Sequence, residues 1–349
     1  VTRAAETGLE VRALAPDAKA RWDAFVFAHP EASFFHRAGW KRVIEESFGH
    51  PAPYLYAESG GVIRGVLPLV HLRSRLFGNA LVSNAFCVYG GPLVSDEAAL
   101  RALDARALAL AEERGVDHLE YRCRRRLHPG WPCKDSLYAT FRRALDPDPD
   151  KNLLAIPRKQ RAVVRKAIKA GLVAEIDPTP DRAWEIYAAS VHRLGTPVFP
   201  RHYFATLADE FGADCGALTV THEGRALSAV VSFYFRDEVL PYYGGGGDAA
   251  RRSGANDYMY WDLMRRAAER GLEWFDFGRS KQGTGSFAFK KNWGFAPEPL
   301  HYEYHLRARA EIPDVNPLNP KYRLFIAAWK RLPLGLANRL GPMIARGLG

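Results

Sequence analysis

The strongest constraint on the fold of this chain is that it repeats itself. Ala111–Tyr121 (AEERGVDHLEY) aligns with Ala267–Phe277 (AAERGLEWFDF): each closes a helix-like stretch, passes through one glycine and continues with the same apolar and acidic alternation. Upstream, Tyr89-Gly90-Gly91 matches Tyr243-Gly244-Gly245 at nearly the same offset, and Glu58-Ser59-Gly60-Gly61 resembles His222-Glu223-Gly224 at a slightly larger one. Three matches in one order indicate an internal duplication. A chain of 349 residues is long enough for two cores of about 150 residues each.

Each copy reads as the same series of elements. In the first, Pro53–Ala57 and Val62–Leu72 are strand-like around a Gly-Gly turn, and Ala80–Tyr89 is apolar and runs into two glycines. A helix follows, with Ser95 as its expected N-cap, Leu100, Leu103, Ala107 and Leu110 at helical spacing, and Gly115 where a left-handed residue ends it. Val116–Arg122 returns to strand. In the second, strands are expected at Ala217–Thr221, Leu227–Phe235 and Val239–Tyr243, then a Gly-rich loop, a helix from about Asn256 to Arg270, Gly271 and the strand Glu273–Phe277. Helices at Arg158–Lys169 and Pro180–Leu194 precede it. The Asp-Pro-Asp-Pro-Asp run before Lys151 cannot continue a helix or a central strand, so it is the expected boundary.

Charge and cysteine usage narrow the classes. The net charge of +10 is local: from Lys151 to Ala170 seven side chains are basic and none is acidic, and after Asp314 six more are basic, again without an acid. Local basic surface suits phosphate or an anionic membrane. Cys87, Cys123, Cys133 and Cys215 have no CxxC spacing and no companion histidine pair, which argues for reduced thiols and against a structural metal or disulfide framework. No stretch of roughly 20 apolar residues spans a membrane, and the first fifteen residues lack a secretory pattern. A cytoplasmic protein is expected.

A hairpin followed by strand, Gly-rich loop, helix and strand is the core order of the GNAT acyltransferases, and two copies in one chain resemble the Fem peptidyltransferases. Phe289-Lys290-Lys291-Asn292-Trp293-Gly294-Phe295 looks like the Phe-Lys-x-x-x-Gly signature of the second Fem domain. Ser33-Phe34-Phe35-His36 through Trp40 looks like the N-terminal substrate-side segment, and Asn316-Pro317-Leu318-Asn319-Pro320-Lys321-Tyr322 like the tail of the FemAB-like group associated with exosortase (PEP-CTERM) systems. The resemblance implies a mixed α/β fold of tandem GNAT-like domains, each a twisted mixed sheet flanked by helices. The domains would be 1–150 on the acceptor side and 151–310 on the donor side, with a basic amphipathic tail over 311–349.

The candidate chemistry lies in the second copy. Arg251, Arg252, Gly254 and Asn256 resemble the GNAT pyrophosphate loop, with Asn256 where a small residue is usual; glycines and arginines at a helix N-terminus suit phosphate. The bland alternative is a glycine-rich turn with solvated arginines. The resemblance makes Lys290 a charge for the oxyanion or leaving group, with Lys291 adjacent and Phe289 on the donor side. Asp276 could orient an amine and Tyr243 assist it, or the first could cap a strand end and the second be core. Tyr242, Arg279 and Ser280 are substrate candidates, as are Phe35 and His36 in the first copy. No Ser-His-Asp, Cys-His or paired-carboxylate arrangement stands out, so direct transfer without a covalent intermediate is expected.

Three classes compete. A Fem-like transferase would form an amide on a cell-envelope or exopolysaccharide precursor from an aminoacyl-tRNA. A GNAT-type N-acyltransferase would use acyl-coenzyme A. A non-catalytic nucleic-acid-binding module is suggested by charge alone and lacks a base-stacking motif. No tightly bound cofactor is expected. The tail places Leu324, Phe325, Ala328, Trp329 and Leu332 on one helical face beside Lys321, Lys330 and Arg331, a composition suited either to the inner face of an anionic membrane or to docking on the protein.

Overall fold

The structure is a computed structural model describing residues 8–74, 77–313 and 323–349. It divides into two compact units. The first runs to Asp135 and takes back Leu300–Val315 and Gly347–Gly349; the second is Ser136–Pro299 with Asn316–Arg346. The Asp-Pro run lies inside the second unit and opens a helix there, with Asp148 as N-cap and Pro149 in the first turn. Proline is tolerated at that position because the first helical N–H has no intrahelical partner.

In the first unit, β1 (Glu10–Ala13), β2 (Leu55–Ser59), β3 (Val62–Leu67) and β6 (Leu93–Val94) form a sheet in the order β1-β2-β3-β6. A second sheet holds β4 (Leu69–Ser74), β5 (Gly78–Ser83), β7 (His118–Cys123), β8 (Cys133–Lys134) and β18 (His301–Leu306) in the order β4-β5-β7-β18-β8. The single strand expected over Val62–Leu72 is thus broken at Pro68, which has no N–H for the ladder. Helices α1 (Lys19–Ala28) and α2 (Gly39–Phe48) precede β2, and α3 (Glu97–Glu113) crosses between the parallel strands β5 and β7. Asp96, not Ser95, caps α3: its Oδ1 accepts the Ala99 N–H at 2.8 Å. A carboxylate at this end also gains from the helix dipole. Leu103, Ala107 and Leu110 bury against Leu55, Leu67, Leu81 and Leu119, whereas Leu100 is half-buried. Gly115 closes the helix at φ +57°, the expected left-handed residue.

In the second unit, β10 (Arg142–Ala144), β11 (Val173–Asp177), β12 (Cys215–His222), β13 (Arg225–Phe235), β14 (Glu238–Gly246) and β15 (Trp274–Asp276) form a six-stranded sheet, β10-β15-β14-β13-β12-β11. Three short strands, β9 (Tyr138–Thr140), β16 (Ser280–Lys281) and β17 (Glu298–Pro299), pair as β16-β9-β17. The helices are α4 (Pro149–Ala155), α5 (Arg158–Lys169), α6 (Asp181–Leu194), α7 (Arg201–Phe211), α8 (Asp248–Ser253), α9 (Ala255–Glu269), α10 (Gly285–Asn292), α11 (Arg323–Trp329) and α12 (Leu334–Ala345). The α9 crossover joins β14 to the parallel β15 and buries Met259, Leu263, Met264 and Ala267 over the sheet.

The duplication is visible in the strand order. Once β3 and β4 are read as one strand broken at Pro68, the first unit runs β1, β2, β3/β4, β5, β7, β18, and the second runs β11, β12, β13, β14, β15, β10. In each, a hairpin leads to a strand, a crossover helix and a parallel strand, whose far edge takes an antiparallel neighbour from outside the repeat. The fold is a mixed α/β tandem of GNAT-like domains.

Candidate active site

The six-stranded sheet contains an internal gap. β14 and β15 pair only at Glu238 with Trp274 and Val239 with Phe275, while β14 continues to Gly246, paired on its other side with β13. Among the described residues, Leu240–Gly246 therefore has no ladder partner on the β15 side. A register shift between Val231 and Ser232 makes Tyr242 the extra residue of a bulge on β14. The Tyr243 ring is buried among Tyr187, Phe199, Tyr203 and Phe204, and its hydroxyl lies 2.7 Å from that of Tyr203. Tyr242 is half-buried beside it.

The Gly-rich stretch expected as a loop is mostly strand. A Cβ at Gly244 would lie 2.9 Å from the Tyr260 hydroxyl, and one at Gly245 would lie 2.8 Å from Ser190 Cβ. These glycines let α9 and α6 approach the two faces of β14. At Gly246 the space of a Cβ is filled by Asn256 Oδ1, so the asparagine at a position expected to be small is accommodated by a glycine across from it. Arg251 and Arg252 end the short α8 and are exposed, with Arg251 paired to Asp248 at 3.2 Å. Gly254 joins α8 to α9 at φ +76°, and a Cβ there would lie 2.7 Å from Val163 Cγ1 on α5. Its identity is therefore required by packing and backbone geometry, independently of any phosphate.

At the end of β15 the chain folds around Lys290. The ammonium donates to the carbonyls of Phe277 at 2.7 Å, Gly278 at 2.8 Å and Arg279 at 3.2 Å. Asp276, fully buried, accepts from the Gly278 N–H at 2.7 Å and the Thr140 hydroxyl at 2.9 Å. Burial lowers the Lys290 pKa to about 7, with Asp276 opposing the shift. Three carbonyls match the three protons of the charged form. Lys290 thus clips the Phe277–Arg279 turn from the α10 side, and Thr284 caps that helix. The segment after Gly278 is held further by β16, where Ser280 pairs with Ala139. Ser280 Oγ is buried without a hydrogen-bond partner among the described residues. Arg279 is exposed, its guanidinium 4.7 Å from the Tyr138 ring centroid; Lys291 is exposed and Phe289 packs on Tyr260, Phe277 and Trp293.

The candidates in the first unit have a separate setting. Phe35 is fully buried against Phe34, Trp40 and Tyr89. His36 meets the Ser33 N–H through Nδ1 at 3.1 Å and the Gly91 carbonyl through Nε2 at 3.1 Å. Burial lowers its pKa to about 4, so the ring is neutral and Nε2 donates to Gly91. His36 lines a cleft of about 290 Å³ together with Tyr89, Arg122, Arg124 and Arg125. Arg122 is committed to Glu120 and the Cys87 carbonyl, Arg124 lies over Tyr89 at 4.3 Å, and Arg125 pairs with Glu31. Sequence reasoning passed over these arginines and Thr140. The Arg-Cys-Arg-Arg-Arg run leaves the end of β7 where the Lys290-bound turn follows β15, and that alignment is the signal in the sequence.

Residues 158–291 match the family described as Acetyltransferase (GNAT) domain. The second unit therefore carries a GNAT acyltransferase domain, and the chain shares the fold of FemAB-type proteins. No curated protein matches its sequence. Among solved structures, FemX superposes with a TM-score of 0.67 at 17% identity, covering 91% of this chain and 100% of its own. A tandem GNAT protein from the clavulanic acid biosynthesis pathway gives 0.54 at 16% identity, covering 87% and 100%. Saccharomyces cerevisiae N-myristoyltransferase with bound myristoyl-CoA gives 0.50 at 11% identity, covering 89% and 83%. No helix among the described residues is long and apolar enough to cross a membrane.

Proposed function

We propose that this acyltransferase passes an acyl or aminoacyl group directly to an amine on a cell-envelope or exopolysaccharide precursor, forming an amide without a covalent enzyme intermediate. The gap between β14 and β15 carries the reading. Leu240–Gly246 presents backbone N–H and C=O groups without a ladder partner in the interior of a sheet, and buried backbone groups require partners. An extended donor with peptide-like groups completes that ladder. The pantetheine arm of acyl-coenzyme A has such amides, which favours the acyl-coenzyme A reading of the donor over aminoacyl-tRNA. Its phosphates would lie at the α9 N-terminus beside Arg251, Arg252 and Asn256.

In the reaction the amine nitrogen attacks the donor carbonyl, the bond to the carrier sulfur or oxygen breaks, and the amine proton passes to the departing group. Tyr243, coupled to Tyr203, supplies a hydroxyl route for that proton beside the bulge at Tyr242. Asp276 and Lys290 hold the turn that presents Arg279 and Ser280 to the substrate, with Phe289 and Lys291 on the same helix. The first-unit cleft at His36 and Tyr89 takes an anionic part of the acceptor through its arginines. The C-terminal helices rest on an anionic membrane at the cytoplasmic face.

Thermal unfolding with candidate donors tests the reading. A donor at 100 times its Kd should stabilise the protein by about 2.7 kcal/mol. Replacing Arg251 and Arg252 by Ala should weaken binding of the effective donor roughly tenfold or more at low salt and less at high salt. If neither coenzyme A thioesters nor aminoacyl-tRNA shift the transition, the donor assignment fails.

A further inference from the structure

The edge of the first unit's second sheet carries a side-chain cluster that the transfer reaction does not use. β8 and β18 are antiparallel, with Lys134 opposite Tyr302 and Cys133 opposite Glu303. Continued one residue past the end of β8, that register places Asp135 beside His301. Side chains alternate along a strand and cross-strand partners share a face, so Cys133, Asp135, His301 and Glu303 belong to one face. Ligand atoms of Cys133, Asp135 and His301 lie within 4.8 Å of one another. Glu303 is committed elsewhere, to the Leu127 and His128 amides and the His128 ring at 2.8–2.9 Å.

One further observation points to a cation. His301 Nδ1 is buried with no hydrogen-bond partner among the described residues, a costly state for an imidazole nitrogen.

We propose that Cys133, Asp135 and His301 bind one zinc-class divalent ion, with water at the remaining position. Sulfur, nitrogen and oxygen donors together suit zinc rather than calcium or magnesium. Bonds of about 2.0–2.3 Å in a tetrahedron need ligand atoms roughly 3.5 Å apart, and the three already lie within 4.8 Å of one another. As the sulfur–metal bond forms, the thiol proton leaves to solvent. The ion ties β8, whose ladder with β18 has two residue pairs, to the strand beside it. It joins the point where the chain leaves the first unit, Asp135, to the point where it returns, Leu300–His301. Spacing along the sequence argues against a metal because the ligands come from distant segments; the strand register brings them together.

The full-length protein, stripped with a chelator and titrated with Co²⁺ in place of Zn²⁺, tests the site. One equivalent should produce thiolate-to-cobalt charge-transfer absorption together with visible bands of tetrahedral cobalt, and Zn²⁺ should displace both. Cys133→Ser should abolish the charge-transfer band and His301→Gln should weaken binding more than tenfold, while Cys215→Ser in the second unit leaves both unchanged. Zn²⁺ should raise the unfolding temperature of the parent and not of these two site variants. Should Cys133→Ser fail to fold, Asp135→Asn at an exposed position must weaken Co²⁺ binding instead. No band in the parent, or equal affinity in the parent and the site variants, overturns the assignment.

Discussion

Lys290 is a cation enclosed by backbone carbonyls, and this makes its contribution separable by charge and by pH. Truncation in Lys290→Ala releases the turn that holds Arg279 and Ser280, so turnover should fall roughly 100-fold. Loss of the clip should also lower the unfolding temperature, which a charge acting only in the transition state would leave unchanged. If the charged form is the active one, the rate should decline as pH rises through about 7. Lys290→Arg should remove that decline, since a guanidinium stays protonated; rate profiles of parent and variant decide the point. A decline that persists in Lys290→Arg assigns the titration to another group. The importance of Lys290 was legible from the Phe-Lys motif, but its partners were not. They are main-chain oxygens on a turn that only the tertiary fold brings to α10, and main-chain oxygens leave no trace in residue identity.

Asp104 on α3, His128 on the segment after β7 and Glu303 on β18 join three elements through one imidazole, with both ring nitrogens 2.9 Å from a carboxylate. Burial disfavours the charge, but the hydrogen bonds His128 donates to Asp104 and Glu303 outweigh it and raise its pKa to about 9. A raised pKa means stability that is fully present below about pH 6.5 and lost as pH climbs through 9. The loss should be on the order of 2–3 kcal/mol. Denaturant midpoints measured from pH 6 to 10 should show it, and His128→Gln should be less stable at neutral pH and lack that slope. Elements with strong local signals were readable from sequence. The α3 and α9 periodicities, their closing glycines and the β12–β13 hairpin stand where expected. Packing faces were less readable: α5 buries Val164 and Ala167 while Ile168 is 42% exposed, because its neighbours select the face when several apolar residues compete. Pro68 divides a strand whose hydrophobic pattern runs through it.

For the molecule as a whole, the basic C-terminal helices bury some of their apolar residues and leave others exposed. Trp329, Ala337, Gly341 and Ala345 are buried, with Gly341 close against the Val198 backbone, while Leu324, Leu336, Leu340 and Met343 remain exposed. Lys321 and the Asn316–Tyr322 motif lie outside the described residues. Flotation with anionic vesicles should retain the protein at low salt, and Leu336→Ser, Leu340→Ser and Met343→Ser together should reduce retention roughly tenfold. Equal retention on neutral vesicles would refute the electrostatic part. The duplication itself was legible across the chain because both copies retain the same turn chemistry. The exchange of outer strands was not, since neither β10 nor β18 belongs to the repeat that aligns. That exchange has a consequence for biosynthesis. β18 is the only ladder partner of β8 among the described residues and covers the outer edge of β7, yet it emerges from the ribosome only after all six strands of the second unit's large sheet have been made. At roughly 5–20 residues per second, the first unit waits about ten to thirty seconds after Asp135 with a strand edge uncovered. The second unit meets β10 before the rest of its sheet, so its six-stranded sheet has every strand before the first unit's five-stranded sheet does, reversing the usual order of folding during translation.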